Sequence, residues 1–423
     1  MRRAAGAEIA ISRIEVPPVI LAVAALAALY GWAVVALTPT HPGSIGLNLD
    51  ALGTDWMVFY GGVRCFFDGN LAGLFDGERF TTYLNSAFAG WLSQPLILRA
   101  WLYPPTTLLA MLPFGLLPFA LSYAAFQVAT AGLLAAVLWF GADRPNARIW
   151  AIGAALLGPA AAINAAMGQN AFLTTALLVG GFRVLRTRPA LGGIILGLLT
   201  IKPQLWLLVP VALAAGREWR ALAWSIAAAA ALAVASLLVF GVEIWRQWLE
   251  LALGGIANPQ YASLEFNRVW GDSIYACLVS SGLSHALATI AQGLGTLLGA
   301  GLAYSAFRRP LPGDRKIVVL LAAAILAAPH SSLADTVLLA TAVGLWIGDA
   351  AQGDASLAAW TAALAIWLAP VFNPPMASPV GRLTPLLILA FIIVTMTRRA
   401  QPDRVAVPMP RPPLAAGEQA LKR

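Results

Sequence analysis

The sequence predicts an all-α polytopic membrane protein, and composition and segment length support that fold class. The chain has 423 residues, of which 60% are hydrophobic and 11% charged, and its mean hydropathy is +0.77. Its apolar runs are too many and too long for the core of a soluble domain, and several reach the length of about 20 residues that crosses a bilayer. A bundle of transmembrane helices is therefore expected.

The predicted spans follow in order from the amino terminus. The first span is long enough to be a retained anchor rather than a cleaved signal peptide. Segment 104–117 is bounded by prolines and too short to cross comfortably, so we predict that it is re-entrant or interfacial. About 12 spans result, near 17–37, 119–140, 149–167, 171–186, 189–201, 204–216, 219–240, 285–306, 317–328, 332–348, 355–371 and 382–397.

These spans are expected to form a single transmembrane domain, 1–400, with two large external loops. The first loop, 38–103, carries aromatic residues at three- and four-residue spacing, and the second, 241–284, carries an amphipathic stretch with Trp245 and Trp248. Both patterns predict helices in the membrane interface.

The basic residues set the orientation. With this topology, 20 of the 27 Lys and Arg residues lie on one side of the membrane and 7 on the other. The positive-inside rule then predicts an inner (cytoplasmic) membrane protein with both termini in the cytoplasm. The tail, 401–423, is rich in Pro and Ala and is predicted to be disordered. The net charge of +8 comes from residues scattered at helix ends, which excludes a nucleic-acid partner.

The two cysteines, Cys65 and Cys277, are too few for a disulfide framework or a cysteine metal cluster. We predict that both are free packing residues, with a pair across the two external loops as the alternative.

Six polar motifs fall on the external side of the predicted bundle. A charge at the centre of a membrane helix costs about 2.5–3.5 kcal/mol on insertion scales, so polar residues gathered at one membrane face indicate a functional site. The motifs are Asp50/Asp55, Gly168-Gln169-Asn170, Lys202-Pro203-Gln204, the Glu243–Arg268 loop, Pro329-His330 and Asn373-Pro374-Pro375.

Asp55 and Lys202 are the main candidates, and each has a structural alternative. A carboxylate at the edge of the bilayer is a good proton acceptor, but Asp55 can also be a helix N-cap. Lys202 can bind phosphate beside a proline-broken helix, or its amine can reach water along apolar surface. Asp50 is a weaker candidate of the same kind as Asp55, and its simplest interpretation is a solvated loop residue.

The remaining candidates are weaker when taken singly. Gln169 and Asn170 can hydrogen-bond substrate hydroxyls or cap a helix, and a lone histidine such as His330 is more often structural than catalytic. The sequence contains no Gly-rich phosphate loop, no paired metal ligands and no Ser-His-Asp order, so no metal site is predicted.

Several segments between about residues 17 and 397 resemble glycosyltransferase family 87, in order and with matching spacing. That family contains polyprenyl-phosphate-mannose-dependent α-1,2-mannosyltransferases of the GT-C membrane fold. The segments are TDWMVFYGGVRCFFDGNLAGLFD, YPPTTLLAMLPFGLLP, GQNAFLTTALL, LGGIILGLLTIKPQLWLLVPVAL and PHSSLADT.

The resemblance implies an enzyme that moves a hexose from a polyprenyl phosphate to a glycolipid or polysaccharide acceptor on the outer face, without a nucleotide sugar. Asp55 matches the family's base in the first external loop. Lys202, His330 and Arg268 are then expected at the donor phosphate, and Gln169, Asn170, Gln204 and Asp50 around the substrates. Mannose is the implied sugar, and arabinose, galactose and glucose stay open.

Two other functions stay open from the sequence. One is a transporter or flippase for a lipid-linked sugar, with an ion site at the helix break near Pro203. The other is a noncatalytic subunit of an envelope assembly machine. Paired halves, which are usual in such transporters, are not visible in the sequence.

Overall fold

The computed structural model describes residues 16–37, 52–92, 94–140, 145–254, 272–350, 355–372 and 379–397. Within these ranges the chain is helical and contains no strand, which confirms the all-α prediction. The predicted tail, 401–423, and the Asn373-Pro374-Pro375 motif lie outside the described residues.

Nineteen α-helices are numbered here in chain order over the described residues. The first nine are α1 (Pro18–Leu37), α2 (Thr54–Phe67), α3 (Gly77–Ala87), α4 (Pro105–Met111), α5 (Phe119–Phe140), α6 (Pro145–Leu157), α7 (Pro159–Met167), α8 (Ala171–Leu185) and α9 (Pro189–Leu198). The others are α10 (Pro203–Trp206), α11 (Val209–Ala215), α12 (Trp219–Phe240), α13 (Val242–Gly254), α14 (Ile274–Val279), α15 (His285–Arg308), α16 (Gly313–Ala327), α17 (Val337–Ala350), α18 (Leu357–Phe372) and α19 (Thr384–Thr397).

Several of these helices have the length and composition of membrane spans. Five are long and apolar enough to cross a bilayer, or six when the pair α6 and α7, bent by 48°, is taken as one broken span. Further apolar helices of 10–17 residues surround them. The chain is therefore a polytopic helical membrane protein, and the number of about 12 spans stays a prediction.

Helices α16 and α17 form the centre of the bundle. Nearly every residue of both is buried, as expected for helices that are apolar on all sides. The two pack against each other, and α6, α15 and α19 pack around them. Helix α1 lies at the periphery against α7 and α18, with large apolar side chains such as Leu26 and Leu29 exposed.

Helices α9 and α12 approach each other closely through small residues. A Cβ atom on Gly193 would lie 2.3 Å from the carbonyl oxygen of Ala221, and one on Gly197 would lie 2.4 Å from that of Ser225. Small residues four apart let two membrane helices come together in this way. This packing fixes the path of α9 toward Lys202.

A second, aromatic core lies around α2 beside the bundle. Helices α3, α4 and α5 and the 3-10 turn Leu112–Leu116 cover α2. The predicted helix is present, but its Trp56 and Phe59 are buried inside the protein rather than facing lipid headgroups. Trp56 stacks on Phe126 with ring centroids 4.4 Å apart. The aromatic spacing therefore reports burial in a protein core.

Three further predictions concern single features. Segment 104–117 forms the short helix α4 and a 3-10 turn instead of one long helix, and its depth in the membrane stays a prediction. The amphipathic stretch of the second loop forms α13, as expected. Cys65 and Cys277 are both buried and free, which confirms that they are packing residues.

Candidate functional site

The turn between α7 and α8 is the geometric centre of the candidate site. Helix α7 ends at Met167 and is capped by Gly168, which has a φ of +74° in the left-handed region and donates its N–H to the carbonyl groups of Asn164 and Ala165. A Cβ atom at this position would lie 2.5 Å from Cβ of Trp56. Glycine is required here both by the backbone conformation and by the approach of α2.

Buried amides hold this turn in place. Asn164 donates to Oε1 of Gln127 at 3.0 Å and accepts the N–H of Ala171 at 3.0 Å. Gln127 in turn donates to the carbonyl oxygen of Gln169 at 3.0 Å. Because these groups are buried, each needs a partner, and together they hold the backbone from which the Gln169 side chain extends.

Asp55 lies in the first turn of α2 and is half-buried. The N–H of Gly53 donates to the carbonyl oxygen of Ala166 at 2.7 Å, which attaches the start of α2 to the end of α7. Nε2 of Gln169 donates to Oδ2 of Asp55 at 2.8 Å. The N-cap of α2 is Gly53, so the alternative that Asp55 caps this helix is wrong. A carboxylate in the first turn is also favoured by the helix dipole.

Tyr103 completes the partners of Gln169. Its hydroxyl donates to Oε1 of Gln169 at 3.1 Å, and the N–H of Asn170 donates to the same oxygen at 2.9 Å. Burial, followed by the nearby carboxylates of Asp335 and Asp55, raises the pKa of the Tyr103 hydroxyl well above its ordinary value. The phenol therefore keeps its proton and acts as a donor at neutral pH.

Lys202 lies on the other side of the turn, between a 3-10 turn that ends at Ile201 and the proline that starts α10. Its side chain is 2% exposed, so the alternative that its amine reaches water is wrong. Nζ donates to Oδ1 of Asn170 at 3.3 Å and to Oδ1 of Asp335 at 2.5 Å. Asn170 occupies the N-cap position of α8, yet its side chain makes no capping hydrogen bond. The Asn170 side chain instead accepts the hydrogen bond from Lys202.

Asp335 is held by its own loop. It lies in the 3-10 turn Leu333–Thr336, is 1% exposed, and accepts the N–H of Ser332 at 2.8 Å on Oδ2. Asp272, in the loop before α14, is also buried. Burial and the charge of Asp335 raise the pKa of Asp272 well above the ordinary carboxyl value. The site therefore contains the ion pair of Lys202 with Asp335 and a further carboxyl group, that of Asp272, which favours its proton.

A hydrogen-bonded chain thus connects five polar residues, four of them predicted from the sequence and the fifth Asp335. It runs from Asp55 through Gln169 and Asn170 to Lys202 and ends at Asp335. One end is a half-buried carboxylate, and the other is a buried ion pair with no net charge. This geometry can orient the Asp55 carboxylate toward a ligand while the rest of the chain stays fixed.

The other predicted site residues are not members of this hydrogen-bonded chain or lie outside the described residues. His330 is half-buried in the loop between α16 and the Asp335 turn, but the chain from Asp55 to Asp335 does not run through it. Gln204 is half-buried in α10 and is also outside that chain. Asp50 and Arg268 lie outside the described residues.

Sequence reasoning did not select Asp335, Tyr103 or Asp272 as site residues. Asp335 could have been found, because a carboxylate beside a long apolar helix needs a buried cation as its partner. Tyr103 gave no such signal, since only folding brings it within 3.1 Å of Gln169.

The fold and the site together define a multi-pass helical membrane protein with a buried polar centre at one end of its bundle. Residues 101–329, more than half of the chain, match the family model of Glycosyltransferase family 87. The chain belongs to this family and is a membrane glycosyltransferase. No curated protein and no solved structure matches the chain.

The matched region covers only part of the site. Tyr103, Gln169, Asn170 and Lys202 lie inside residues 101–329, whereas Asp55 precedes that region. Asp335 and His330 follow it. The carboxylates of Asp55 and Asp335, at the two ends of the hydrogen-bonded chain, therefore lie outside the matched region. They are connected to it by contacts in the structure and not by the match itself.

Proposed function

We propose that the protein transfers a hexose, with mannose as the first choice, from a polyprenyl phosphate to a glycolipid or polysaccharide of the envelope. Asp55 is the general base, and the anomeric centre is inverted. The observation that carries this proposal is the hydrogen bond of 2.8 Å from Gln169 to a half-buried Asp55. It leaves an oriented carboxylate at the accessible end of an otherwise buried polar chain.

The reaction needs one base and a good leaving group. Asp55 takes the proton of an acceptor hydroxyl, whose oxygen forms a bond to the anomeric carbon of the donor sugar. The bond from that carbon to the phosphate oxygen breaks, and its electron pair leaves with the polyprenyl phosphate. In-line displacement converts a β-linked donor into an α-glycoside. A positioned base of this kind contributes about 10²–10⁴-fold to the rate.

The phosphate is proposed to bind at the Lys202 end of the chain. Two of the three protons of the Lys202 ammonium group are used by Asn170 and Asp335, so the lysine contributes one hydrogen bond and a partly compensated charge. His330, in the same loop as Asp335, and Arg268 are proposed to supply further positive charge.

Gln169 and Asn170 are proposed to position the reacting groups, because their side chains form hydrogen bonds with Asp55, Tyr103 and Lys202. Gln204 and Asp50 stay proposed substrate contacts.

The membrane placement is part of the proposal. The asymmetry of basic residues supports cytoplasmic termini and a site that faces the periplasm or cell exterior. Helix α13 is proposed to lie in the interface beside the path of the polyprenyl chain. It packs on α12 and α4, and it exposes Val242, Leu249 and Leu253.

The experiment measures radiolabelled sugar transfer by purified protein from polyprenyl-phosphate-mannose to a crude lipid acceptor, with the corresponding glucose, galactose and arabinose donors in parallel. We expect Asp55→Asn to lower the rate by about 10²-fold or more while the protein folds and purifies normally. Glu250→Gln, at an exposed position on α13, is the control and should transfer at the wild-type rate.

Equal turnover by wild type and Asp55→Asn removes Asp55 from the mechanism. Movement of the lipid-linked sugar across vesicle membranes without covalent transfer favours the flippase alternative instead.

A further inference from the structure

A separate cavity lies on the side of α2 that faces away from Asp55. Its volume is about 750 Å³, within the range of about 300–1,000 Å³ that is typical of small-ligand sites. Arg64 follows Asp55 by nine residues, which places it about 14 Å further along the helix and on the opposite face. A ligand in this cavity does not touch the Asp55 carboxylate.

One wall of the cavity is polar. Nη2 of Arg64 lies 3.1 Å from Oδ1 of Asp68, and the hydroxyl of Tyr83 donates to Oδ2 of the same carboxylate at 3.0 Å. Arg64 and Asp68 are each about two-fifths exposed, so both can exchange partners with a ligand. Because the cation and the anion compensate each other, this wall has no net charge.

A second part of the wall is aromatic. Phe119 lies against Tyr60, Phe88 and Trp91, with ring centroids 5.5, 4.8 and 5.1 Å away. Two of these rings are fixed by hydrogen bonds, since Tyr60 donates to the carbonyl oxygen of Leu117 at 2.9 Å and Trp91 donates to that of Leu52 at 3.0 Å. The wall is therefore preformed.

This combination selects for one class of ligand. An acyl chain would remove water from the guanidinium, carboxylate and phenol groups without replacing their hydrogen bonds, which is costly. An anionic headgroup finds only one cation among the described residues of this lining, Arg64, which Asp68 already compensates. It finds no further cation there of the kind that His330 and Arg268 are proposed to supply at the phosphate. A sugar ring satisfies both walls, because its hydroxyl groups can bind the Arg64–Asp68–Tyr83 cluster while its C–H face packs on an aromatic ring.

We propose that this cavity is a carbohydrate-binding subsite, distinct from the Asp55 site, for a neutral sugar residue of a glycan. Its assignment to the acceptor glycan rests on the proposed function, since a sugar bound here lies several residues along the glycan from the reacting one. The binding of the sugar itself does not depend on that function.

The test is binding of full-length protein in detergent to an array of defined mannose, glucose, galactose and arabinose oligosaccharides, followed by titration with the best ligand. We expect Arg64→Gln and Tyr83→Phe to weaken binding by about tenfold, the effect of losing one charge-assisted hydrogen bond. Arg246→Gln is the matched control, because Arg246 also pairs with acidic residues along one exposed helix. It should bind like wild type.

The outcomes separate the subsite from the proposed function. Glycan binding without sugar transfer by any protein supports the subsite and contradicts the transferase. No glycan bound by wild type, or equal binding by the cavity variants, overturns the subsite. Binding of anionic phospholipid vesicles that depends on Arg64, with no glycan bound, assigns the cavity to a headgroup and overturns the proposal.

Discussion

The two ends of the bundle both contain buried charges but use them differently. Helices α16 and α17 run in opposite directions. The Arg315–Asp349 pair therefore lies at one end of them and the Asp335 turn at the other, about 20 Å away along α16. At the Arg315 end, Arg183 also pairs with Asp314 and donates to the carbonyl oxygen of Val137 at 2.8 Å. These arginines tie helix ends together.

The Lys202–Asp335 pair is more completely buried than these pairs. Its side chains are 2% and 1% exposed, whereas those of Asp349 and Asp314 are 22% and 35% exposed. A polar chain continues from Lys202 to Asp55, which is half-buried. Burying a charge pair costs solvation and often adds no stability over apolar residues. We infer that an ion pair between helix ends acts as a structural link, whereas a buried ion pair joined by hydrogen bonds to an accessible carboxylate marks a functional site.

Neutralising each pair tests this difference most directly. We expect Lys202→Met to destabilise the protein by about 3–5 kcal/mol, because Asp335 is left buried without its cation, and to abolish transfer. Lys202→Met with Asp335→Asn should recover most of the stability but no activity. The double variant Arg315→Met with Asp349→Asn should have most of the wild-type stability and also the wild-type transfer activity. Stability is measured with a thiol-reactive dye during heating, since Cys65 and Cys277 are buried. Transfer by the first double variant, or its loss in the second, contradicts the comparison.

The next largest expected effect is a loss of stability when Gly168, in the turn between α7 and α8, is replaced. Gly168→Ala is expected to cost about 2 kcal/mol or more, because alanine is strained at φ +74° and its Cβ would meet Trp56. Gly132→Ala is the control, since a Cβ there meets nothing within 4 Å and Gly132 lies within helix α5. It should be neutral or slightly stabilising. Thermal unfolding midpoints measure both, and equal midpoints would show that the turn tolerates a side chain.

Orientation of Asp55 is tested by Gln169→Leu. We expect kcat to fall by about tenfold with a smaller change in KM, because the carboxylate loses the group that holds its direction. Gln292→Leu is the control. Gln292 is also a buried amide, which accepts the N–H of Tyr275 at 3.1 Å, and its loss should lower the melting temperature without changing kcat. A Gln169→Leu enzyme with wild-type kcat contradicts the positioning role.

The smallest expected effect is a change in the pH dependence of stability when Asp272 is replaced. Its raised pKa means that the folded protein keeps a proton that the unfolded chain releases above the ordinary carboxyl pKa of about 3.9. The unfolded state then binds fewer protons, so stability falls as pH rises from that value through the folded pKa. Asp272→Asn should remove this fall. Its melting temperature should exceed that of wild type by a larger margin at pH 8 than at pH 5, and a margin independent of pH contradicts the assignment.

Several elements of the fold followed from the sequence because each depends on local composition. The apolar runs predicted the long helices α1, α5 and α12, and the amphipathic stretch predicted α13. The polar motifs predicted that Asp55, Gln169, Asn170 and Lys202 share a site, and the hydrogen bonds bring these four residues together. Aromatic periodicity at 56–67 predicted a helix but not its burial, because the same spacing suits a lipid surface and a protein core.

The sequence by itself determined the helical membrane class and the family, since hydropathy and motif order are properties of the chain in one dimension. Only the tertiary structure decided which polar residues are partners. Asp335 became the counterion of Lys202 and Tyr103 the donor to Gln169 because packing brings together residues 133 and 66 positions apart in the chain. The physical reason is that a buried polar group must find a partner wherever the fold supplies one, and the fold, not sequence spacing, sets which groups meet.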